Sequence, residues 1–133
     1  MSDLSPKPSE DRRVLVVEDE PQICRLLADG LESDGLDAVC VSTDRQAYEA
    51  LRHQTTFACM IVDVNLGTGT TGFDVARFAR TIDPQLPVIF VSGGTTAESV
   101  EAHGVPGGLF LEKPFDLADL LGQVHKLIGD NDD

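Results

Sequence analysis

Five short apolar runs, separated by helical patterns, leave this chain very few architectures. The runs are VLVV (14–17), AVCV (38–41), FACMIV (57–62), PVIFV (87–91) and GLFL (108–111). Unbroken apolar runs of this length suit parallel strands covered on both faces. After the first, Pro21 can open a helix that places Ile23, Leu26, Leu27 and Leu31 on one face. Thr43 and Gln46 stand in capping-box spacing at the second helix, and GFDVARFARTI follows the third run. Thr95 and Glu98 have the same spacing, but residues 93–109 hold five glycines and a proline. The fourth helix is therefore expected to be short or irregular, with one or two turns. Asp116 reads as the N-cap of a last helix with a stripe of Leu117, Leu120, Leu121, Val124, Leu127 and Ile128.

Repeated strand–helix units predict an α/β fold: a flavodoxin-like, doubly wound, five-stranded parallel sheet of order 2-1-3-4-5, with helices on both faces. Ligands of such sheets lie beyond the carboxyl ends of the strands, where the order reverses. A single domain is expected over 12–128. The polar segments 1–11, with two prolines, and 129–133 are expected to be disordered.

Composition removes several classes of function. The 133 residues carry 10 Lys and Arg against 23 Asp and Glu, a formal charge of −13, which argues against a nucleic-acid-binding surface. The longest apolar run is FACMIV, far short of a membrane span, and no apolar segment follows the N-terminus. No membrane association, no signal peptide and a cytoplasmic location are expected. Cys24, Cys40 and Cys59 form no CxxC and read as reduced packing residues. His53, His103 and His125 share no metal spacing.

The ends of the runs carry the chemistry. The first ends in Glu18 and Asp19, the third in Asp63, the fourth in Ser92, and Lys113–Pro114 closely follows the fifth. Alone, Glu18–Asp19–Glu20 would be a solvated turn, Ser92 a turn serine and Lys113 a surface lysine. The predicted order brings them to one end of the sheet, while Glu20 suits the start of a helix. Carboxylates with a carbonyl oxygen suit a hard cation, and few protein ligands suit Mg²⁺. A carboxylate can also attack phosphorus to give an acyl phosphate. The transferring group spreads its charge over three oxygens, which a cation, an ammonium and a hydroxyl can share.

These residues resemble the receiver domain of two-component response regulators, of the single-domain, chemotaxis-regulator type. VLVVEDEP is similar to the family's first-strand acidic motif, MIVDVNLG to its phospho-acceptor strand, VIFVSGG to its hydroxyl strand and LFLEKPF to its Lys-Pro motif. The resemblance covers about residues 12–128. It implies that Asp63 is phosphorylated, that Ser92 and Lys113 contact the phosphoryl group, and that Glu18, Asp19, Asp63 and the backbone carbonyl of Asn65 hold Mg²⁺. It further implies a cis Lys113–Pro114 peptide and a switch in which Ser92 and Phe110 move together.

Three features depart from the pattern. The family usually has proline where Gly67 stands and reaches its glycine, here Gly72, about one residue sooner, so the loop after Asp63 is longer. The Ser92–Lys113 interval is short and glycine-rich. Phe110 lacks the hydroxyl of the more common tyrosine.

The implied function is a phosphoryl-accepting switch, not an enzyme, although it would assist its own phosphorylation and dephosphorylation. The donor would be a phosphohistidine on a histidine kinase or histidine phosphotransfer protein, and the output contact with a downstream protein. Alternatives are a phosphorylation-independent binding module on the same scaffold, or a receiver excised from a hybrid kinase. A phosphate-ester hydrolase would need an acid–base residue where Asn65 stands.

Overall fold

The computed structural model describes residues 12–53, 56–67 and 71–128. Segments 1–11 and 129–133, expected above to be disordered, lie outside the described residues, as do loop positions 68–70. The strands are β1 (Arg13–Val17), β2 (Asp37–Val41), β3 (Cys59–Asp63), β4 (Val88–Ser92) and β5 (Leu109–Glu112). The helices are α1 (Pro21–Ser33), α2 (Asp44–His53), α3 (Gly72–Ile82), α4 (Ala97–His103) and α5 (Leu117–Ile128). All neighbouring strands pair in parallel, in the order β2-β1-β3-β4-β5.

Alternation along the strands divides the core into two layers. Val14, Val16, Ile61, Ile89 and Val91 meet Leu27 and Leu31 of α1 and Leu120 and Val124 of α5. Leu15, Val17, Met60, Val62 and Phe90 meet residues of α2, α3 and α4. Fully burying a side chain such as Leu120 contributes roughly 2 kcal/mol. β3 and β4 are buried throughout, whereas the edge strand β2 is only half-buried. Coverage on both faces therefore holds for the centre of the sheet and not for its edges.

Local details revise the sequence reading. The buried stripe of α1 is Cys24, Leu27 and Leu31, while Leu26 is 51 % exposed. The helix is rotated so that its inward positions fall at three- and four-residue spacing from Cys24. The cysteines are likewise not all reduced: Cys24 and Cys40 are joined in a disulfide with Cα atoms 6.2 Å apart, and Cys59 alone is free and buried. That rotation turns Cys24 toward the edge strand, which sequence spacing does not reveal. The cap of α4 is Thr96, not Thr95: its hydroxyl accepts the Ser99 N–H at 3.1 Å. At α2, Gln46 N–H donates to Thr43 Oγ1, but the Gln46 side chain turns back to Ser42 N–H.

The short α4 ends at Gly104, where a Cβ would stand 2.6 Å from the Val100 carbonyl oxygen. Two arginines of α3 then hold the turn into β5. Arg77 donates to the His103 carbonyl, and Arg80 donates to the carbonyls of Leu86 at 2.7 Å and Pro106 at 2.8 Å.

Thr71 and Asp74 form the capping box of α3. Gly72 follows, packed so closely that a Cβ would lie 2.2 Å from the Asp63 carbonyl oxygen and 2.9 Å from Val64 Cα. Its own N–H donates to the Val64 carbonyl at 2.8 Å. Both obstacles are backbone and cannot rotate away. Gly72→Ala is therefore expected to lower stability by about 3 kcal/mol, the upper end of ordinary overpacking. Urea denaturation of the two proteins measures it, and a loss under about 1 kcal/mol would mean this contact yields easily.

Candidate functional site

Each central strand ends in a polar residue or is followed at once by one, because the apolar core ends there. Asp63 and Ser92 are the last residues of β3 and β4, and both are buried. Glu18 follows β1 and is only 1 % exposed, while Asp19 is exposed. Lys113 follows β5, with its N–H on the Ser92 carbonyl at 2.9 Å and a cis bond to Pro114. The parallel ladders thus bring together the side chains singled out from sequence.

One ammonium joins two buried acids. Lys113 Nζ lies 2.9 Å from Asp63 Oδ2 and 3.0 Å from Glu18 Oε1. Glu18 Oε2 accepts the Glu20 N–H at 3.2 Å. Oε1 is completely buried and has the charge contact with Lys113 but no well-aligned hydrogen bond. Asp63 Oδ1 accepts the Asn65 N–H at 2.9 Å. Carboxylate oxygens of Glu18, Asp19 and Asp63 lie within 4.8 Å of one another. An all-oxygen donor set with one poorly satisfied buried oxygen fits a hard divalent cation.

Ser92 has a partner that sequence reasoning missed. Its Oγ accepts hydrogen bonds from Asn65 Nδ2 and from Gly94 N–H, each at 3.1 Å. Both lone pairs are used, so the hydroxyl proton is left to donate. An amide two positions after Asp63 was visible in the sequence, but nothing there indicated that its side chain reaches across to β4. Phe110, half-buried on β5 beside Phe90, packs against the layer formed by α2, α3 and α4.

The charges at the site titrate unusually. Burial pushes Glu18 up from 4.5 to about 7; Asp63 adds to the rise and Lys113 opposes it. Burial alone would lower Lys113, but the Asp63 and Glu18 carboxylates outweigh it and raise its pKa. Between 4.5 and about 7, folded Glu18 keeps a proton that the unfolded chain has released, so stability falls as pH rises through this window. The raised pKa of Lys113 leaves its contribution intact there. The cation-free protein is therefore expected to be more stable at about pH 5 than at about pH 8, by roughly 2 kcal/mol. Urea midpoints in the presence of a chelator measure this, and higher stability at the upper pH would refute the assignment to Glu18.

Comparison with known proteins agrees with this geometry. The response regulator receiver domain family matches residues 14–125. The chain is 29 % identical over 118 residues to the response regulator receiver protein CpdR of Brucella abortus (strain 2308), covering 88 % of this chain and 97 % of that protein. It also matches transcriptional regulators, of which it spans about half the length. A crystal structure of a response regulator receiver protein from Sinorhizobium medicae WSM419 superposes with a TM-score of 0.82 at 31 % identity, over 88 % of this chain and 94 % of that one. A CheY-like receiver domain protein from Methanospirillum hungatei JF-1 shares the fold, with a TM-score of 0.80 at 20 % identity over 90 % and 94 % of the two chains. Among the described residues, no helix is long and apolar enough to cross a membrane. With its 2-1-3-4-5 sheet and its acids, serine and lysine gathered at the strand ends, the chain belongs to the response regulator receiver domain family of two-component signalling.

Proposed function

We propose that Asp63 accepts a phosphoryl group from a phosphohistidine, and that the resulting acyl phosphate alters contact with a downstream protein. Receiver domains are phosphoacceptor switches that interact with histidine kinases or histidine phosphotransfer proteins. The observation that carries the proposal is the shared ammonium: Lys113 holds the two buried acids together at 2.9 and 3.0 Å. We assign Mg²⁺ to Glu18, Asp19, Asp63 and the Asn65 carbonyl. When bound, it supplies positive charge to the carboxylates and to an oxygen of the transferring group.

This chain's own residues provide the rest. A carboxylate oxygen of Asp63 attacks phosphorus as the bond to the donor imidazole nitrogen breaks, and that nitrogen keeps the bonding pair. The Asn65 N–H orients Asp63 before attack. Lys113 has an ammonium hydrogen bond with the carboxylate that it can exchange for one with a phosphoryl oxygen. Ser92 donates its free hydroxyl proton to another. Positioning and charge stabilisation suffice for this transfer, so no general base is needed. Asn65, with an amide engaged on Ser92, offers no acid–base group of the kind a phosphate-ester hydrolase uses. The family resemblance assigns Phe110 the switch position, and its place opposite Phe90 in the β4–β5 ladder that also contains Ser92 is compatible with that role. A cytoplasmic location belongs to this proposal, since the donor kinases' phosphohistidines are formed from ATP.

Intact mass after incubation with acetyl phosphate tests it. One phosphoryl group that appears with Mg²⁺ and not with a chelator is expected. An unmodified protein under conditions where Mg²⁺ binding is demonstrated would overturn the phosphoacceptor reading in favour of a phosphorylation-independent binding module.

A further inference from the structure

We propose that Cys24 and Cys40 form a reversible thiol–disulfide couple, and that its oxidation state sets how tightly the neighbouring acidic site holds a divalent cation. The second half of this inference rests on the Mg²⁺ site assigned above.

The placement of the pair supports exchange. Cys40 lies exposed on the edge strand β2, whereas Cys24 is 7 % exposed on the inner side of α1. A cavity of about 570 Å³ opens beside the bond, lined by Glu18, Cys24, Arg25, Cys40, Ser42 and Gln46 among others. A small thiol can therefore approach the Cys40 sulfur from solvent. Cys59 cannot substitute for either partner: it is completely buried in the sheet, and burial pushes its thiol up to about 12.

The chemistry balances with a thiol reductant. An incoming thiolate attacks Cys40 Sγ, the sulfur–sulfur bond breaks, and the electron pair leaves on Cys24 Sγ, which takes a proton. Cys24 sits in the first turn of α1, where the helix N-terminus favours a thiolate leaving group. A second thiol then attacks the mixed disulfide, releasing the reductant as its own disulfide and Cys40 as a thiol. Two electrons and two protons pass to the protein. In the reverse direction a hydroperoxide takes them up, giving water and an alcohol. The reduced pair also has a place to rest, because Cys40 Sγ lies 3.2 Å from the Cys24 carbonyl oxygen, an acceptor for its S–H.

A ring of bonds connects the couple to the acids. From Cys40 the chain passes to Val41, whose carbonyl accepts the Glu18 N–H at 3.0 Å. Glu18 Oε2 accepts the Glu20 N–H at 3.2 Å, and the Glu20 carbonyl accepts the Cys24 N–H at 3.0 Å. The disulfide closes this ring covalently. Its reduction leaves the join between β2 and this segment, which runs on covalently into α1, to hydrogen bonds and packing.

The test uses the full chain in two forms, oxidised by a hydroperoxide and reduced by a phosphine. Alkylation in denaturant followed by mass measurement should count one thiol in the oxidised form and three in the reduced form. Calorimetric titration with Mg²⁺ should give a dissociation constant about tenfold higher after reduction, the lower end of what loss of a supporting contact costs a metal site. Cys40→Ser, a change at an exposed position, should match the reduced form whichever reagent is applied. Three thiols after oxidation would overturn the couple. Equal affinities in the two forms would overturn the coupling while leaving the Mg²⁺ site intact. Absence of Mg²⁺ binding in both forms would overturn the site and the coupling together, with the thiol count still deciding the couple.

Discussion

Asp63→Asn is expected to abolish phosphoryl uptake completely and, in the cation-free protein, to raise stability by about 1 kcal/mol at a pH where Glu18 is ionised. The first effect follows from chemistry: an amide is no nucleophile toward phosphorus. The second follows from counting charges. Two buried carboxylates share one ammonium, Lys113. Removing the charge of Asp63 leaves Glu18 and Lys113 as a matched pair at 3.0 Å. The side-chain oxygen of the new amide can keep the Asn65 N–H that Asp63 Oδ1 accepts now. Because Asp63 contributes to the raised pKa of Glu18, the variant's fall in stability between about pH 5 and about pH 8 should also be shallower. Intact mass and urea midpoints measure the two effects. A phosphoryl group retained by the variant would move the acceptor to another residue, and a less stable variant would contradict the like-charge account.

Lys113→Met has the opposite consequence for the fold. The stem of the residue is replaced, but two buried carboxylates lose their counter-charge, with Glu18 Oε1 left facing no cation. Removing one member of a buried ionic cluster typically costs roughly 3–5 kcal/mol, a large share of a domain's total stability. Two measurements separate this mechanism from simple loss of packing. Added Mg²⁺ should restore more stability to the variant than to the wild type. The pair Lys113→Met with Glu18→Gln should be more stable than Lys113→Met alone, a non-additivity that identifies direct coupling. If both leave the variant unchanged, charge is not the cause. Phosphoryl uptake should fall about 100-fold or more even with Mg²⁺ present, the range seen when a donor to a charged transition state is removed.

The sheet order and the strand-end residues were legible because they depend on local rules. An apolar run that stops at Asp63 or Ser92 must leave that side chain at the strand's carboxyl end, and right-handed crossovers then fix which ends adjoin. Details that depend on rotation or reach were not legible. The sequence pattern of α1 accommodates Leu26 as readily as Cys24 on its inner face, and only docking against β2 distinguishes them. Asn65 is two residues from Asp63 in the chain, yet its amide contacts Ser92 on the next strand. The spacing to Glu98 points to Thr95 as the cap of α4, and only the chain's path into the helix puts the hydroxyl of the next residue, Thr96, on the Ser99 N–H. Gly72 could be recognised as a family position, but the backbone crowding that requires it exists only once α3 begins against Asp63 and Val64.

The arginines of α3 divide the molecule into parts with different sensitivities. At the acidic end of the sheet, the charge balance depends on pH, since burial raises Glu18 to about 7. Arg77 and Arg80 instead grip the carbonyls of His103, Leu86 and Pro106, groups that do not titrate. The join between α3 and the turn after α4 is mechanical, indifferent to proton concentration across the range that alters the acids. The helix whose first residue, Gly72, packs against the Asp63 backbone is therefore the same one whose arginines hold that turn, and its hold there involves no titrating acceptor.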